Sequence, residues 1–584
     1  MIPSAREAAV ARLGGLQAAD VLIIGGGVNG AGTLRDLALN GVSAVLIDTG
    51  DFCAGASSAS SRMAHGGLRY LEGREFRLVA ESARERNLLL HDAPHLVRPL
   101  EIVVPLETLV SGLPQAMLRF AGLSRRSGPL SLAALEGALA LYEHLGAKFR
   151  ALPRHRTVLK RGAFPAGLDA GTRAVVSYYD GEIVNPEGLI FEMLGEAADA
   201  GNVAAVNHIT WSAAAGAVSV TDDVSGHTVA LRPRVVVNAT GAAIDAVNAR
   251  LGLKTQLIRG VKGAHLVIAH PKLFERMAGR AFYFDDGHGR MVISLPVAGT
   301  ILMGTTEVET ADPGDRGVAG SEVDYLLGAL GGLFSDIPVG REHVVAVTSG
   351  IRPLQAGGGG NATQAARDHA LVEHTAAGRP VISLVGGKWT TFRGFAEQAT
   401  DCVLKHLGRT RTTGTAQRAY PGAAPVDAAA LAGETGLPPA RIAGLVARYG
   451  ALARPVAAFC AAAPDRMLAG RTDYSRREIL WLVQARMAQR LDDLVLRRTG
   501  LVVTGTLGRE TVADMGHCLA QALGRDAAWA EAEIARAVAD PRILGFAGGG
   551  VTASARGTAA SACGESVSAC GGPESGGGGR HEPA

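Results

Sequence analysis

The chain has 584 residues, 47% of them hydrophobic and 19% charged, and Lys plus Arg (58) nearly balance Asp plus Glu (55). This balance argues against nucleic acid as a partner, and 77 Gly residues without a G-X-Y period exclude collagen. Six Cys residues in so long a chain form no disulfide framework, and none has C-x-x-C spacing, so no metal centre is expected.

Residues 1–20 carry Arg6, Glu7 and Arg12 and lack the apolar stretch of a secretory signal. No uncharged apolar run reaches 18 residues. The expectation is an intracellular protein, soluble or attached to a membrane surface. The first 410 residues alternate short apolar runs with helical patterns and predict an α/β fold.

Val21-Leu-Ile-Ile24 predicts a buried strand leading into Gly25-Gly-Gly27-Val-Asn29-Gly30, which fits G-x-G-x-x-G. A helical pattern and a second strand, Ala44–Ile47, follow, ending in Asp48. Gly25 permits the tight turn, Gly27 lets backbone approach a pyrophosphate, and Gly30 lets helix and strand pack closely. The helix N-terminus offers unpaired N–H groups to phosphates, and Asp48 can bind a ribose hydroxyl. The pattern predicts a dinucleotide site without separating FAD from NAD. Cys53 reads as a buried small hydrophobe.

Between Glu143 and Asp169 there is no acidic residue, while Lys148, Arg150, Arg154, Arg156, Lys160 and Arg161 are present. Such a run is usually a solvated loop; with apolar neighbours it also suits anionic lipid headgroups. Two later junctions favour FAD. Val235-Val-Val-Asn-Ala-Thr240-Gly241 is a strand ending in small residues that suit close packing on a cofactor. Val381–Val385 runs into Gly386-Gly387-Lys388-Trp-Thr390-Thr391, where Thr390 or Thr391 can cap the helix that follows. That helix N-terminus would suit the negative edge of a reduced flavin.

Residues from about 420 to 546 read as helical. Over Tyr474–Leu501, Ile479, Val483, Met487, Leu491 and Leu494/Val495 predict one apolar face, with Arg486, Arg490 and Arg497 opposite. Ser475-Arg-Arg-Glu478 reads as a capping box opening this helix. The tail, 547–584, is Gly-, Ser- and Ala-rich and is expected to be disordered.

Ser57-Ser58-Ala-Ser-Ser61-Arg62-Met-Ala-His65-Gly66-Gly67-Leu-Arg69-Tyr70-Leu-Glu72 is the most specific segment of the chain. Lys262-Gly-Ala-His265, Gly304-Thr-Thr306, Ser349-Gly-Ile-Arg352-Pro-Leu354, Arg367-Asp368 and Gly386-Gly-Lys388-Trp-Thr-Thr-Phe-Arg393 follow in order. Together they resemble the FAD-dependent, quinone-linked glycerol-3-phosphate dehydrogenases, within the D-amino-acid-oxidase-like flavoproteins. The resemblance covers roughly residues 18–545.

It implies an α/β architecture with a Rossmann-like FAD-binding domain, an antiparallel-sheet substrate cap domain and an all-helical C-terminal domain. The expected division is 18–105, 181–255 and 346–412 for the FAD-binding domain, 106–180 for a cap or membrane-facing part and 256–345 for the cap. Residues 420–546 are the helical domain. The implied reaction oxidises sn-glycerol 3-phosphate to dihydroxyacetone phosphate, with electrons passing from reduced FAD to membrane quinone. The implied location is cytoplasmic, peripheral on the inner face of the membrane, touching anionic lipid. Oligomeric state is open, with a homodimer among the options.

The residue chemistry fits that reaction. A phosphate needs fixed cations, and Arg binds it well because its planar fork donates two bonds. Arg69, Arg352, Arg367 and Lys388 are the candidates, with Tyr70 as a hydroxyl donor. His265 is the candidate general base, since its ordinary pKa of about 6.5 suits proton transfer. Arg352 and Lys388 can instead lower the pKa of the alcohol electrostatically, and the sequence leaves this choice open. Ser57, Ser58, Ser61, Arg62, His65, Gly66, Gly67, Gly387 and Lys388 are expected to hold the cofactor, beside Thr240, Gly241, Thr390 and Thr391.

Three segments depart from the family pattern. Ala242-Ala243-Ile244 stands where Pro-Trp is common, and Val184-Asn-Pro-Glu-Gly188 where an Asp-Asp-Ala-Arg type segment is common. Lys262-Gly-Ala-His265 has Ala where Ser is common. The first two leave room for a related polyol phosphate, such as erythritol phosphate. An oxygen-using oxidase, an amine or amino-acid oxidase and a flavin-binding protein without turnover are the other readings.

Overall fold

Val21–Ile24, with its apolar side chains on both faces, is the centre of a six-stranded sheet. In the computed structural model, which describes residues 4–71, 75–111, 131–145, 151–214, 216–287, 290–356 and 369–544, this strand pairs in parallel with Ala44–Ile47 and Val235–Asn238. Val203–Val206 and Arg379–Val385 extend the parallel set, and Ala370–Ala376 closes one edge antiparallel. Alternation sends Val21 and Ile23 to one face and Leu22 and Ile24 to the other. The first face packs on helices Val28–Leu39, Pro186–Asp199 and Phe392–Leu407. The second packs on helix Ala5–Gly15 and a three-stranded antiparallel sheet, Ile209–Ala214, Ala217–Asp222 and Thr228–Leu231. A strand covered on both faces has to be apolar throughout, which is why these runs are so legible.

The second large sheet has ten strands, eight along its main path and two pairing off it, and is mixed rather than purely antiparallel. Val97–Leu106 pairs in parallel with Ala281–Asp285, and the other pairings are antiparallel. Val97–Leu106 and Ala174–Ile183 pair along their full lengths inside this sheet. The expected division at 105/106 therefore falls near the end of a strand of the cap sheet, because its hydrogen bonds go to residues 174–183. The spine of the sheet is Ile258–Ile268 against Val344–Gln355. Helix Gly320–Leu333 packs on one face; the other face lines the cleft described below.

The C-terminal region is helical: Ala428–Thr435, Pro439–Tyr449, Ala453–Ala461, Arg476–Ala485, Arg509–Leu523 and Ala527–Ala539. The long helix expected from Tyr474 to Leu501 is broken. It ends at Ala485, Met487 takes a positive φ of 55°, and the chain resumes at Leu491–Asp493 and a π-helical turn, Leu494–Arg498. Ser475 caps Arg476–Ala485 by accepting from the Glu478 N–H. The return half of the capping box is missing, because Glu478 is fully buried and taken by Arg448, Arg441 and Tyr449. Arg486 and Arg497 are buried rather than on a solvated face. Arg486 lies over Phe191, Tyr449 and Trp481, and Arg497 pairs with Asp51. The tail expected to be disordered lies outside the described residues.

Candidate active site

The Gly25–Gly30 loop is shaped by close approach. Gly25 has φ +107°, and a Cβ there would sit 2.7 Å from the Ala239 carbonyl oxygen. A Cβ on Gly30 would overlap the Gly25 carbonyl oxygen. Gly27 is the N-cap of Val28–Leu39 with no capping side chain. The Val28 N–H donates to Ser57 Oγ at 3.1 Å. Asp48 accepts from the N–H groups of Gly26 (2.6 Å) and Gly50 (2.9 Å), and burial pushes its pKa up. Asp48 thus braces the loop; a carboxylate has further lone pairs for a ribose hydroxyl.

Asn29 donates to the Gly386 carbonyl at 3.1 Å, while its own Oδ1 is buried without a hydrogen-bond partner. This buried acceptor, the glycine cradle and the helix N-terminus all fit a dinucleotide, whose hydroxyls and pyrophosphate are the groups such a place receives. Gly386 and Gly387 have φ of +77° and +93°, and a Cβ on Gly387 would lie 2.5 Å from Asn29 Nδ2.

A cleft of about 360 Å³ opens between this region and the large sheet. The alternation of the strands decides who lines it: Val261, Gly263 and His265 from one strand, Gly350, Arg352 and Leu354 from its neighbour. Ser61, His65, Gly67, Gly387, Lys388 and Thr390 line it too. Of the expected catalytic residues, the structure therefore brings His265, Arg352 and Lys388 together. The side chains of Arg69 and Tyr70, and the whole of Arg367, lie outside the described residues.

His265 is 2% exposed, and its Nε2 lies 2.8 Å from Ser61 Oγ. Burial, together with the charges of Arg352 and Arg62, pulls its pKa down to about 3. It is a neutral imidazole at physiological pH. Arg352 donates to Thr305 Oγ1 at 2.6 Å, with Glu307 4.0 Å away. Gly263 makes this possible, since a Cβ there would lie 2.5 Å from Arg352 Nη2.

Arg290, Glu307, Thr305, Tyr283 and Asp180 also line the cleft and were not singled out from the sequence as site residues. Arg290 donates to the Thr305 carbonyl at 2.5 Å and lies 3.6 Å from Glu307. Only its place one residue before the strand Met291–Val297 hinted at it. Asp180, in the strand Ala174–Ile183, accepts from Arg86 (2.6 Å), Tyr142 (2.6 Å) and the Gly66 N–H (3.1 Å). It ties the His65-Gly66-Gly67 turn to the cap sheet.

Other expected cofactor residues are placed as follows. Thr390 Oγ1 bonds the backbone of His65 rather than capping the next helix, and Thr391 occupies the N-cap position without a side-chain bond. The capping expectation fails because the Thr390 hydroxyl is used to tie two loops together. Arg62 donates to the Val184 carbonyl at 3.0 Å and lies 3.9 Å from Glu187. Ser58 bonds its own turn at Gly55. Thr240 bonds Asn238 at 2.6 Å, and Gly241 takes φ +57° to begin a short turn. Cys53 is fully buried, and burial raises its thiol pKa well above the ordinary range.

The family model described as FAD dependent oxidoreductase matches residues 20–393. The chain belongs to this family. A second model, the C-terminal domain of alpha-glycerophosphate oxidase, matches residues 413–531 of this FAD-dependent oxidoreductase. The glycerol-3-phosphate dehydrogenase of Synechocystis sp. is 33% identical over 86% of the chain and 93% of its own length. The D-erythritol 1-phosphate dehydrogenase of Brucella abortus is 33% identical over 66% of the chain and 74% of its own length. The glycerol-3-phosphate dehydrogenase of Bacillus halodurans, solved as a complex with FAD, shares the fold with a TM-score of 0.68. It is 21% identical over 91% of the chain and 96% of its own length. FAD is the cofactor of this oxidoreductase, and the Gly25–Gly30 loop with the Gly386–Thr391 turn are the elements that would hold it.

Proposed function

We propose that this enzyme oxidises sn-glycerol 3-phosphate to dihydroxyacetone phosphate and passes the electrons to membrane quinone. The observation that carries the reading is a neutral His265 on the same sheet face as Arg352, in a cleft shared with Lys388. The 33% identity to the Synechocystis glycerol-3-phosphate dehydrogenase supports it.

When bound, FAD supplies the two-electron acceptor for the substrate's hydride. The chain's own residues do the rest. Arg290, Arg352 and Lys388 against Glu307 and Asp180, the last already paired with Arg86, leave the cleft net positive, which suits a phosphate dianion. Fixing the phosphate sets the position of the carbon two bonds away, where small misplacement costs much of the rate. Glu307, 3.6 Å from Arg290 and 4.0 Å from Arg352, sits between the two guanidiniums. His265, being neutral, is in the correct form to accept a proton, and the nearby cations favour the alkoxide.

The test is anaerobic. The FAD-loaded protein is mixed with sn-glycerol 3-phosphate while the oxidised flavin band is followed. Rapid bleaching, reversed by a quinone analogue, is the expected result; a flavin that stays oxidised would overturn the substrate assignment. D-Erythritol 1-phosphate is the second reading. The 184–188 departure and the Brucella relative favour its inclusion in the same assay.

Membrane attachment is part of the proposal. No helix among the described residues is long and apolar enough to cross a membrane. Arg154, Arg156, Lys160 and Arg161 are exposed beside Leu159, which is 60% exposed. Flotation with anionic but not zwitterionic vesicles is expected, and equal recovery with both would remove this part.

A further inference from the structure

We propose that Ser61 receives the substrate's hydroxyl proton and relays it to His265, and so belongs to the catalytic apparatus rather than to the cofactor's hydrogen-bond shell. The proposal rests on the polyol-phosphate reading above.

The geometry points this way because His265 itself has almost no open face. The residue is 2% exposed, its Nδ1 is buried without a hydrogen-bond partner, and its Nε2 is covered by Ser61 Oγ at 2.8 Å. Ser61 is only half-buried and lines the cleft beside Gly304, Thr305 and Arg352. A serine hydroxyl has one hydrogen to give and two lone pairs to accept with. The relay takes the imidazole as its Nδ1–H tautomer, in which Ser61 donates its hydrogen to His265 Nε2 and keeps a lone pair for the cleft. Gly304, opposite His265 in the strand register, leaves the imidazole its place, since a Cβ there would overlap the ring.

The transfer balances. The substrate O–H bond breaks and a new O–H forms on Ser61 as the original Ser61 O–H breaks and an N–H forms on His265 Nε2. Ser61 ends as it began, and one proton rests on the imidazole. No electrons travel along this pair; those of the broken C–H bond leave with the hydride, for which FAD is the acceptor. The imidazolium forms next to Arg352, and the phosphate bound by that arginine offsets its charge.

Two measurements test the relay. The first is ¹⁵N NMR of the FAD-loaded, substrate-free protein labelled at histidine, with His265 assigned from His265→Gln. The expected His265 Nε2 signal is that of an unprotonated, accepting nitrogen, perturbed in Ser61→Ala. An Nε2 that carries the proton would overturn the relay.

The second is the rate of flavin reduction at saturating substrate. Ser61→Ala is expected to lose about 100-fold or more, the ordinary size of a proton-transfer contribution. FAD and substrate dissociation constants should stay near wild type, and Ser61→Thr, which keeps the hydroxyl, should restore most of the rate. Ser61→Ala reduced as fast as wild type would overturn the relay. So would a loss cured entirely by added FAD, which returns Ser61 to cofactor binding. A wild-type flavin that no polyol phosphate reduces is a different failure: it overturns the substrate reading, and with it the relay.

Discussion

His265 shows how far a residue's surroundings move it from its ordinary chemistry. Burial, with Arg352 and Arg62 nearby, holds its folded pKa near 3. The unfolded chain therefore binds more protons between about pH 6.5 and pH 3, so this stabilisation is complete above pH 6.5 and is lost as pH falls. Between pH 7 and pH 5 the loss should be about 2 kcal/mol, at about 1.4 kcal/mol per pKa unit. Urea unfolding at the two pH values checks it, with His265→Asn expected to lose less over that interval. Arg352→Ala should weaken substrate binding about 10- to 100-fold, the worth of a charged hydrogen-bond pair, with FAD affinity unchanged. The substrate concentration that gives the half-maximal rate of anaerobic flavin reduction measures this. At this scale the residue types were legible: a histidine and cations for a phosphorylated alcohol. Their partners were not. Ser61, read as a cofactor donor, bonds a histidine 204 residues away, and Thr390 bonds His65 rather than capping its own helix.

Elements carry their information in spacing, and glycines mark where two of them touch. Gly30→Ala places a methyl group on the Gly25 carbonyl oxygen, which has to push the helix from the strand. The expected outcome is protein purified largely without FAD, seen in the visible spectrum. Gly263→Ala is the contrast, because its Cβ meets Arg352 and Thr305 in the cleft instead. It should retain FAD and lose substrate affinity; equal FAD loss in both variants would refute that division. The strand–glycine loop–helix–strand order was readable because each member constrains its own backbone over a few residues. The break after Ala485 was not. The apolar period runs across it, but Met487 takes a positive φ, and the Met487 carbonyl accepts from Asn207 at 3.0 Å.

The whole molecule is joined by a buried charge cluster. Burial would raise the pKa of Asp51, but Arg498 and Arg497 overcome this and hold it well below the usual carboxylate range. Arg498 donates to both Asp51 oxygens at 2.7 Å, and Arg497 reaches Asp51 at 2.5 Å and Asp493 at 2.7 Å. This links the π-helical turn of the C-terminal region to the loop after the second parallel strand. Arg498→Ala removes two bonds from a buried carboxylate and leaves it Arg497 and Asn207, so the expected cost is about 2–3 kcal/mol, short of the cost of a fully unpaired buried charge. Denaturant unfolding gives the value, and a loss below about 1 kcal/mol would mean that water reaches the site.

What the sequence by itself determined was the local and contiguous part: the parallel-strand runs, the glycine loop, the order of the flavoprotein motifs and the helical C-terminal region. These follow from backbone constraints and hydrophobic periods that act within a dozen residues. Only the tertiary structure decided which cations face the cleft, that the cap sheet is mixed, and that Arg486 and Arg497 lie inside. Those outcomes depend on which distant groups arrive alongside. Asp51 and Arg498 meet across 447 positions, and a charge is buried only where such a partner is waiting.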